Sequence, residues 1–186
     1  MSRTLLFSLF ILLLSPLLPH PTPTRANAQN HDLVHRSCLH ATYPEICVRT
    51  LSSHGGAATP RELAQLAVKI SLARVRKASD FLSQIIKGSG RREQGALSDC
   101  VEQMGDSVEE LSKTLAALQR LRRDGDFRWQ MSNAETWVSA ALSNEDTCLD
   151  GFKEMDGGIR SDVHRKIMNV ARVTSNALYL INLLDD

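Results

Sequence analysis

The side chains best suited to chemistry are Cys38, Cys47, Cys100 and Cys148, with His35 and His40 flanking the first of them. A zinc site needs about four ligands at close spacing, and no C-x-x-C pair or fourth ligand accompanies His35, Cys38 and His40. An even cysteine count reads instead as two disulfides, for which four cysteines allow three connectivities. Glu135 and Asp146 share a helix face eleven positions apart, which is about 16 Å along the axis. Paired glycosidase carboxylates stand roughly 5 to 10 Å apart, so these two read as solvated charges. No nucleophile elbow, H-E-x-x-H, phosphate loop or dinucleotide-binding glycine pattern occurs. The reading is therefore of a protein with no catalytic residue, no metal and no cofactor. His31, His35, His40, His54 and His164 read as exposed, solubilising groups, with pH-dependent partner binding as the sharper alternative.

The N-terminus sets the compartment. Arg3 precedes a nearly unbroken apolar run from Leu5 to Leu18, and Ala26-Asn27-Ala28 fits the small-x-small pattern cut by signal peptidase. The run is shorter than the roughly 20 residues a bilayer span requires. Residues 1–28 are thus expected to be a signal peptide and residues 29–186 a secreted domain, with no membrane association afterwards. Removing Arg3 and Arg25 turns the formal net charge from +1 to −1. That balance, with few aromatics, argues against a nucleic-acid partner.

The elements that must position any site are helices. Period-two alternation is absent, whereas apolar residues recur at helical spacing. Residues 30–58 read as a short helical hairpin and linker, turning at Tyr43-Pro44, which a Cys38–Cys47 bond would clamp. Thr59-Pro60-Arg61-Glu62 is a capping box that opens a helix bearing Leu63, Leu66, Ala67, Ile70, Ala73, Phe81, Leu82 and Ile85. A second long helix carries a heptad seam at Leu97, Val101, Met104, Val108, Leu111, Leu115 and Leu118. Arg120, Arg122 and Arg123 are expected in its last turn, with Gly125 as its cap. A third, about residues 128–153, buries Ala134, Trp137, Val138, Ala141, Leu142, Leu149 and Phe152, although Ser132-Asn133-Ala134-Glu135 is a rival start. After Asp156-Gly157-Gly158 a fourth follows Val163, Ile167, Val170, Thr174, Ala177, Ile181 and Leu184.

Four helices of about 25 residues joined by short breaks predict an all-α, antiparallel up-and-down bundle over residues 59–186, with the hairpin attached. Cys100 and Cys148 then fall at the same end of an antiparallel pair, which selects Cys38–Cys47 and Cys100–Cys148.

At its cysteine-bearing segments the chain resembles the plant invertase/pectin methylesterase inhibitor family. The likeness is carried by Cys38-Leu39-His40-Ala41-Thr42-Tyr43-Pro44-Glu45-Ile46-Cys47, by Leu97-Ser98-Asp99-Cys100, and by Thr136-Trp137-Val138-Ser139-Ala140-Ala141-Leu142 with Asp146-Thr147-Cys148-Leu149-Asp150-Gly151-Phe152. Ser175-Asn176-Ala177-Leu178 is similar too. The resemblance implies the same fold and disulfide pairing, and an apoplastic inhibitor of either pectin methylesterase or invertase. Invertase inhibitors carry Pro-Lys-Phe before the third helix, where this chain has Met131-Ser132-Asn133, so the esterase is the expected partner. With no esterase domain following, a free inhibitor is the expectation. It would form a one-to-one complex that blocks the pectin-binding cleft through Glu102, Asp106 and Glu109 on the second helix and Asn133 and Thr136 on the third. A helical secreted signal or carrier protein is the rival from another class.

Overall fold

The computed structural model describes residues 25–122, 125–155 and 157–185, with side chains from residue 29 onward. The apolar segment of the expected signal peptide, and Arg123 and Asp156, lie outside the described residues. Among those residues the secondary structure is helical: α1 (Arg25–Cys38), α2 (Pro44–Ser52), α3 (Pro60–Ile85), α4 (Arg91–Arg120), α5 (Phe127–Asp150) and α6 (Gly158–Asn182). The four long helices form a ring in which α3 touches α4 and α6, and α5 touches the same two. Among the described residues the diagonal pairs make no close backbone approach. Leu63, Leu97, Met104, Leu111, Val138 and Ile167, each without exposure, fill the axis. Their burial drives the assembly, because isolated helices of this length are marginal in water.

α1 and α2 form the expected hairpin, bonded through Cys38 and Cys47 with their Cα atoms 5.6 Å apart. Pro44 takes the first turn of α2, where its missing N–H costs nothing. The hairpin is held to the bundle by a pair of bonds that its own sequence does not announce. The Tyr43 N–H donates to Asn176 Oδ1 at 3.0 Å, and Asn176 Nδ2 donates to the Tyr43 carbonyl at 2.9 Å. Asn176 is buried on α6, so losing it strands two backbone groups. Asn176→Ala is expected to cost about 2 to 3 kcal/mol, the usual consequence of leaving buried polar partners unpaired. Chemical denaturation checks this, and an unchanged midpoint would show that the turn finds other partners.

α3 opens as its sequence indicates, with Thr59 Oγ1 accepting from the Glu62 N–H at 3.2 Å. The reciprocal bond is displaced: the Glu62 carboxylate accepts from the Ala58 N–H at 2.8 Å, one residue upstream of the expected amide. Ala73 is exposed, and Ser71, Leu72 and Val75 are buried. α4 ends at Arg120, so Arg122 and Gly125 lie beyond it and do not cap it; the cap is Leu121 in an extended conformation. Its open carbonyls are covered from another helix. Arg61 Nε and Nη2 donate to the Leu118 and Gln119 carbonyls at 2.9 Å, and Gln65 Nε2 donates to Leu118 at 3.0 Å. A guanidinium thus meets the negative end of the α4 dipole.

α5 starts at Phe127 and runs through Ser132–Glu135, which is therefore not a helix start. α6 follows Gly157, whose φ of 105° lies in the region that favours glycine.

Candidate partner-binding face

Small residues let α4 and α5 approach each other closely. The buried line along α4 is Leu97, Cys100, Met104, Ser107, Leu111, Thr114 and Leu118. Val101, Val108 and Leu115 are only half-buried, which corrects the expected seam. Small residues win these positions because the neighbouring backbone arrives there. Ser107 Oγ donates to the Ala141 carbonyl at 3.2 Å, and Thr114 Oγ1, which donates to the Glu110 carbonyl of its own helix at 2.9 Å, comes within 3.5 Å of that of Ala134. Cys100 and Cys148 add a covalent rung, with Cα atoms 4.5 Å apart. Each rung is one heptad from the next on both helices, which fixes an antiparallel register. Closing that loop contributes roughly 4 kcal/mol in the chain-entropy model.

On α5 the core positions are Met131, Ala134, Val138, Ala141, Glu145 and Cys148, so Trp137, Leu142 and Leu149 are half-buried and not central. Glu145 has no exposure. Its Oε1 lies 2.9 Å from Thr174 Oγ1, and Oε2 has no partner among the described residues. Thr174 Oγ1 also lies 3.2 Å from the Val170 carbonyl. One hydroxyl hydrogen cannot serve both acceptors. A protonated Glu145 resolves this by donating to Thr174, which then donates to Val170. Burial is the largest cause that pushes the Glu145 carboxyl up, to about 8.

The outer side of the pair is a groove of about 480 Å³ between the C-terminal half of α4 and the start of α5. Ala116 and Ala117 form its small-residue floor. Trp129 and Trp137 flank Asn133 along α5, and Lys113 and Arg120 border it from α4. Trp129 is 69% exposed, one of two large apolar side chains so placed among the described residues. Asn133 therefore lies in this groove. Glu109 joins its edge through Lys113, whose ammonium sits 2.8 Å from the carboxylate and holds it below the ordinary carboxyl range. Glu102, Asp106 and Thr136 are exposed but do not line the groove. Thr136 turns its hydroxyl back to the Ser132 carbonyl at 2.7 Å. None of the five histidines beyond residue 30 belongs to α4 or α5, and all five are exposed.

Trp129 is not among the expected site residues, and Trp137, expected in the apolar stripe of its helix, is half-buried. Their signal was available: Trp129, Asn133 and Trp137 repeat every four positions, a stripe on one helix face with a polar centre. No group of His, Cys, Asp or Glu among the described residues is arranged to hold a metal. Nor is any described helix long and apolar enough to cross a membrane.

This scaffold has known counterparts. Residues 32–180 match the family model described as plant invertase/pectin methylesterase inhibitor. The chain belongs to that family. Among its relatives within the family, "Pectinesterase inhibitor 3" of Arabidopsis thaliana is 54% identical, over 83% of this chain and 80% of the relative. The "21 kDa protein" of Daucus carota is 38% identical over 96% of this chain and 93% of its own length. A crystal structure of a mutant pectin methylesterase inhibitor from Arabidopsis superposes with a TM-score of 0.68, covering 78% of this chain and 93% of that one. At 24% identity that likeness shows the inhibitor-family fold.

Proposed function

We propose that this chain inhibits pectin methylesterase by laying its α4/α5 face across the enzyme's pectin-binding cleft in a one-to-one complex. It would act in the apoplast, after removal of residues 1–28, as the single domain of residues 29–186. The observation that carries the reading is the 54% identity to a protein named as a pectinesterase inhibitor. The site chemistry supports it: no catalytic constellation is needed, only a rigid surface with an aromatic anchor. The disulfide, the Ser107 and Thr114 rungs and the alanine floor keep α4 and α5 fixed relative to each other, which lowers the ordering cost of association. Trp129 and Trp137 are the residue type that most often dominates such interfaces. The filled bundle axis speaks for an inhibitor and against a carrier of an apolar ligand.

A paired assay tests the target. The purified mature chain should suppress pectin methylesterase at near-equimolar ratio and leave an invertase untouched; the opposite outcome would transfer the assignment to invertase. Within the same assay, Glu102→Lys with Asp106→Lys should weaken inhibition by about three- to tenfold, the effect of reversed rim charges on encounter. Unfolding midpoints should not move. Undiminished potency would place both carboxylates outside the interface.

A further inference from the structure

Charge on the bundle is segregated by face. α3 carries Arg61, Lys69, Arg74, Arg76 and Lys77 against Glu62 and Asp80, a net +3. α6 carries Arg160, Arg165, Lys166 and Arg172 against Asp162, again a net +3. α4 and α5 each carry an acidic excess. Because α3 and α6 are neighbours in the ring and α4 and α5 are neighbours opposite them, the basic pair faces away from the groove bearing Trp129.

The two basic helices meet in a cleft of about 320 Å³ lined by Arg74, Lys77, Arg165, Lys166 and Asn169, floored by Ala78 and Val170. Its cations are poorly neutralised. Arg74 is half-buried and hydrogen-bonds the neutral amide of Asn169, with Thr50 Oγ1 at 3.5 Å. Burial first, and the nearby Arg49 second, lower its pKa. Lys166 lies over the Phe81 ring at 4.6 Å, with no carboxylate paired to it among the described residues. Among the described residues Arg165 pairs with Asp162, one turn back on its own helix. Such a strip concentrates an anion that runs along it, and its guanidinium groups match carboxylates two hydrogens at a time.

We propose that the α3/α6 cleft binds a linear polyuronate, the de-esterified polymer that pectin methylesterase leaves as product. The proposal rests on the esterase reading for its choice of polyanion. Hydrolysis of each methyl ester leaves a carboxylate on the chain and releases methanol, so only the product carries the charge this cleft takes. Asn169 supplies a neutral amide for sugar hydroxyls, and Ala78 and Val170 offer an apolar floor to ring faces. With the cleft across the bundle from α4/α5, polymer and esterase can be held together. The inhibitor would then accumulate where de-esterification has already proceeded.

The test measures binding of the mature chain to polygalacturonate, to fully methyl-esterified pectin and to dextran sulfate at fixed salt. Polygalacturonate should bind at least about tenfold more tightly than the esterified polymer, with an affinity that falls steeply as salt rises. Lys77→Glu with Lys166→Glu should cut that affinity by about tenfold or more, while esterase inhibition stays within about twofold of wild type. Both side chains are exposed, and an unchanged melting temperature verifies the fold; Arg165→Gln is the milder variant if the double charge reversal destabilises. Equal binding of esterified and de-esterified polymer, equal binding of dextran sulfate, or an affinity untouched by the substitutions would overturn the proposal. A chain that binds polygalacturonate through the cleft yet inhibits no esterase would instead sink the functional reading alone.

Discussion

At pH 8, Glu145→Gln should unfold at a markedly higher denaturant concentration than the wild type, and the gap should close as the pH falls toward 4.5. The Glu145 carboxyl is raised in the folded chain from 4.5 to about 8, chiefly by burial. Between those values the unfolded chain has released this proton and the folded chain retains it. Stability from this group is therefore highest in acid and declines with rising pH, by about 1.4 kcal/mol per unit at most. The full loss approaches roughly 4 to 5 kcal/mol above the folded pKa, as an upper figure. Glutamine has the same shape, keeps an N–H donor for Thr174 and cannot ionise. Urea midpoints from pH 4 to 9 decide it: wild type should slope downward relative to the variant. Parallel curves would mean that water or a local rearrangement solvates the carboxylate. An inhibitor built this way is firmest in acidic surroundings.

Trp129→Ala with Trp137→Ala should reduce esterase inhibition by about 30- to 1000-fold, the equivalent of roughly 2 to 4 kcal/mol lost at an interface centre. Trp129 is 69% exposed, so its removal alone should leave the folded chain nearly as stable as before. Trp137 is half-buried and should add a modest loss of stability when truncated. Comparing each single variant with the double separates anchoring from folding. Potency within about threefold of wild type for the double would exclude this groove as the anchor, whatever the fate of the surrounding charges.

Large apolar residues made the helices legible. Met104, Leu111, Ile167 and Ile181 announce their helices by spacing alone, and all four are buried. What the pattern hid was the small and polar part of the core. Ser71, Ser107 and Thr114 fall outside the large apolar stripes, yet each is fully buried, because hydroxyls can bond to helix carbonyls and let backbones close in. Reading only large residues therefore rotated the α4 seam toward Val101, Val108 and Leu115. Glu145, next to Asp146 in sequence, carries no sign that one carboxyl is interior and the other exposed; only the packing of α5 against α6 separates them. Asn176 was noticed for its motif, but its partner lies 133 residues away at a turn. On the candidate site, Glu102, Asp106 and Glu109 of α4 are exposed. The size of Trp137 suggests a core position, and only the fold shows that it and Trp129 line one groove.

Hydrogen exchange on the mature chain, free and saturated with pectin methylesterase, reports most directly which face meets the enzyme. Slowed exchange should concentrate in residues 109–120 of α4 and 127–137 of α5, with α3 and the outer part of α6 unaffected. Protection centred on the basic α3/α6 cleft, with the tryptophan groove exchanging as in the free chain, would contradict the assignment.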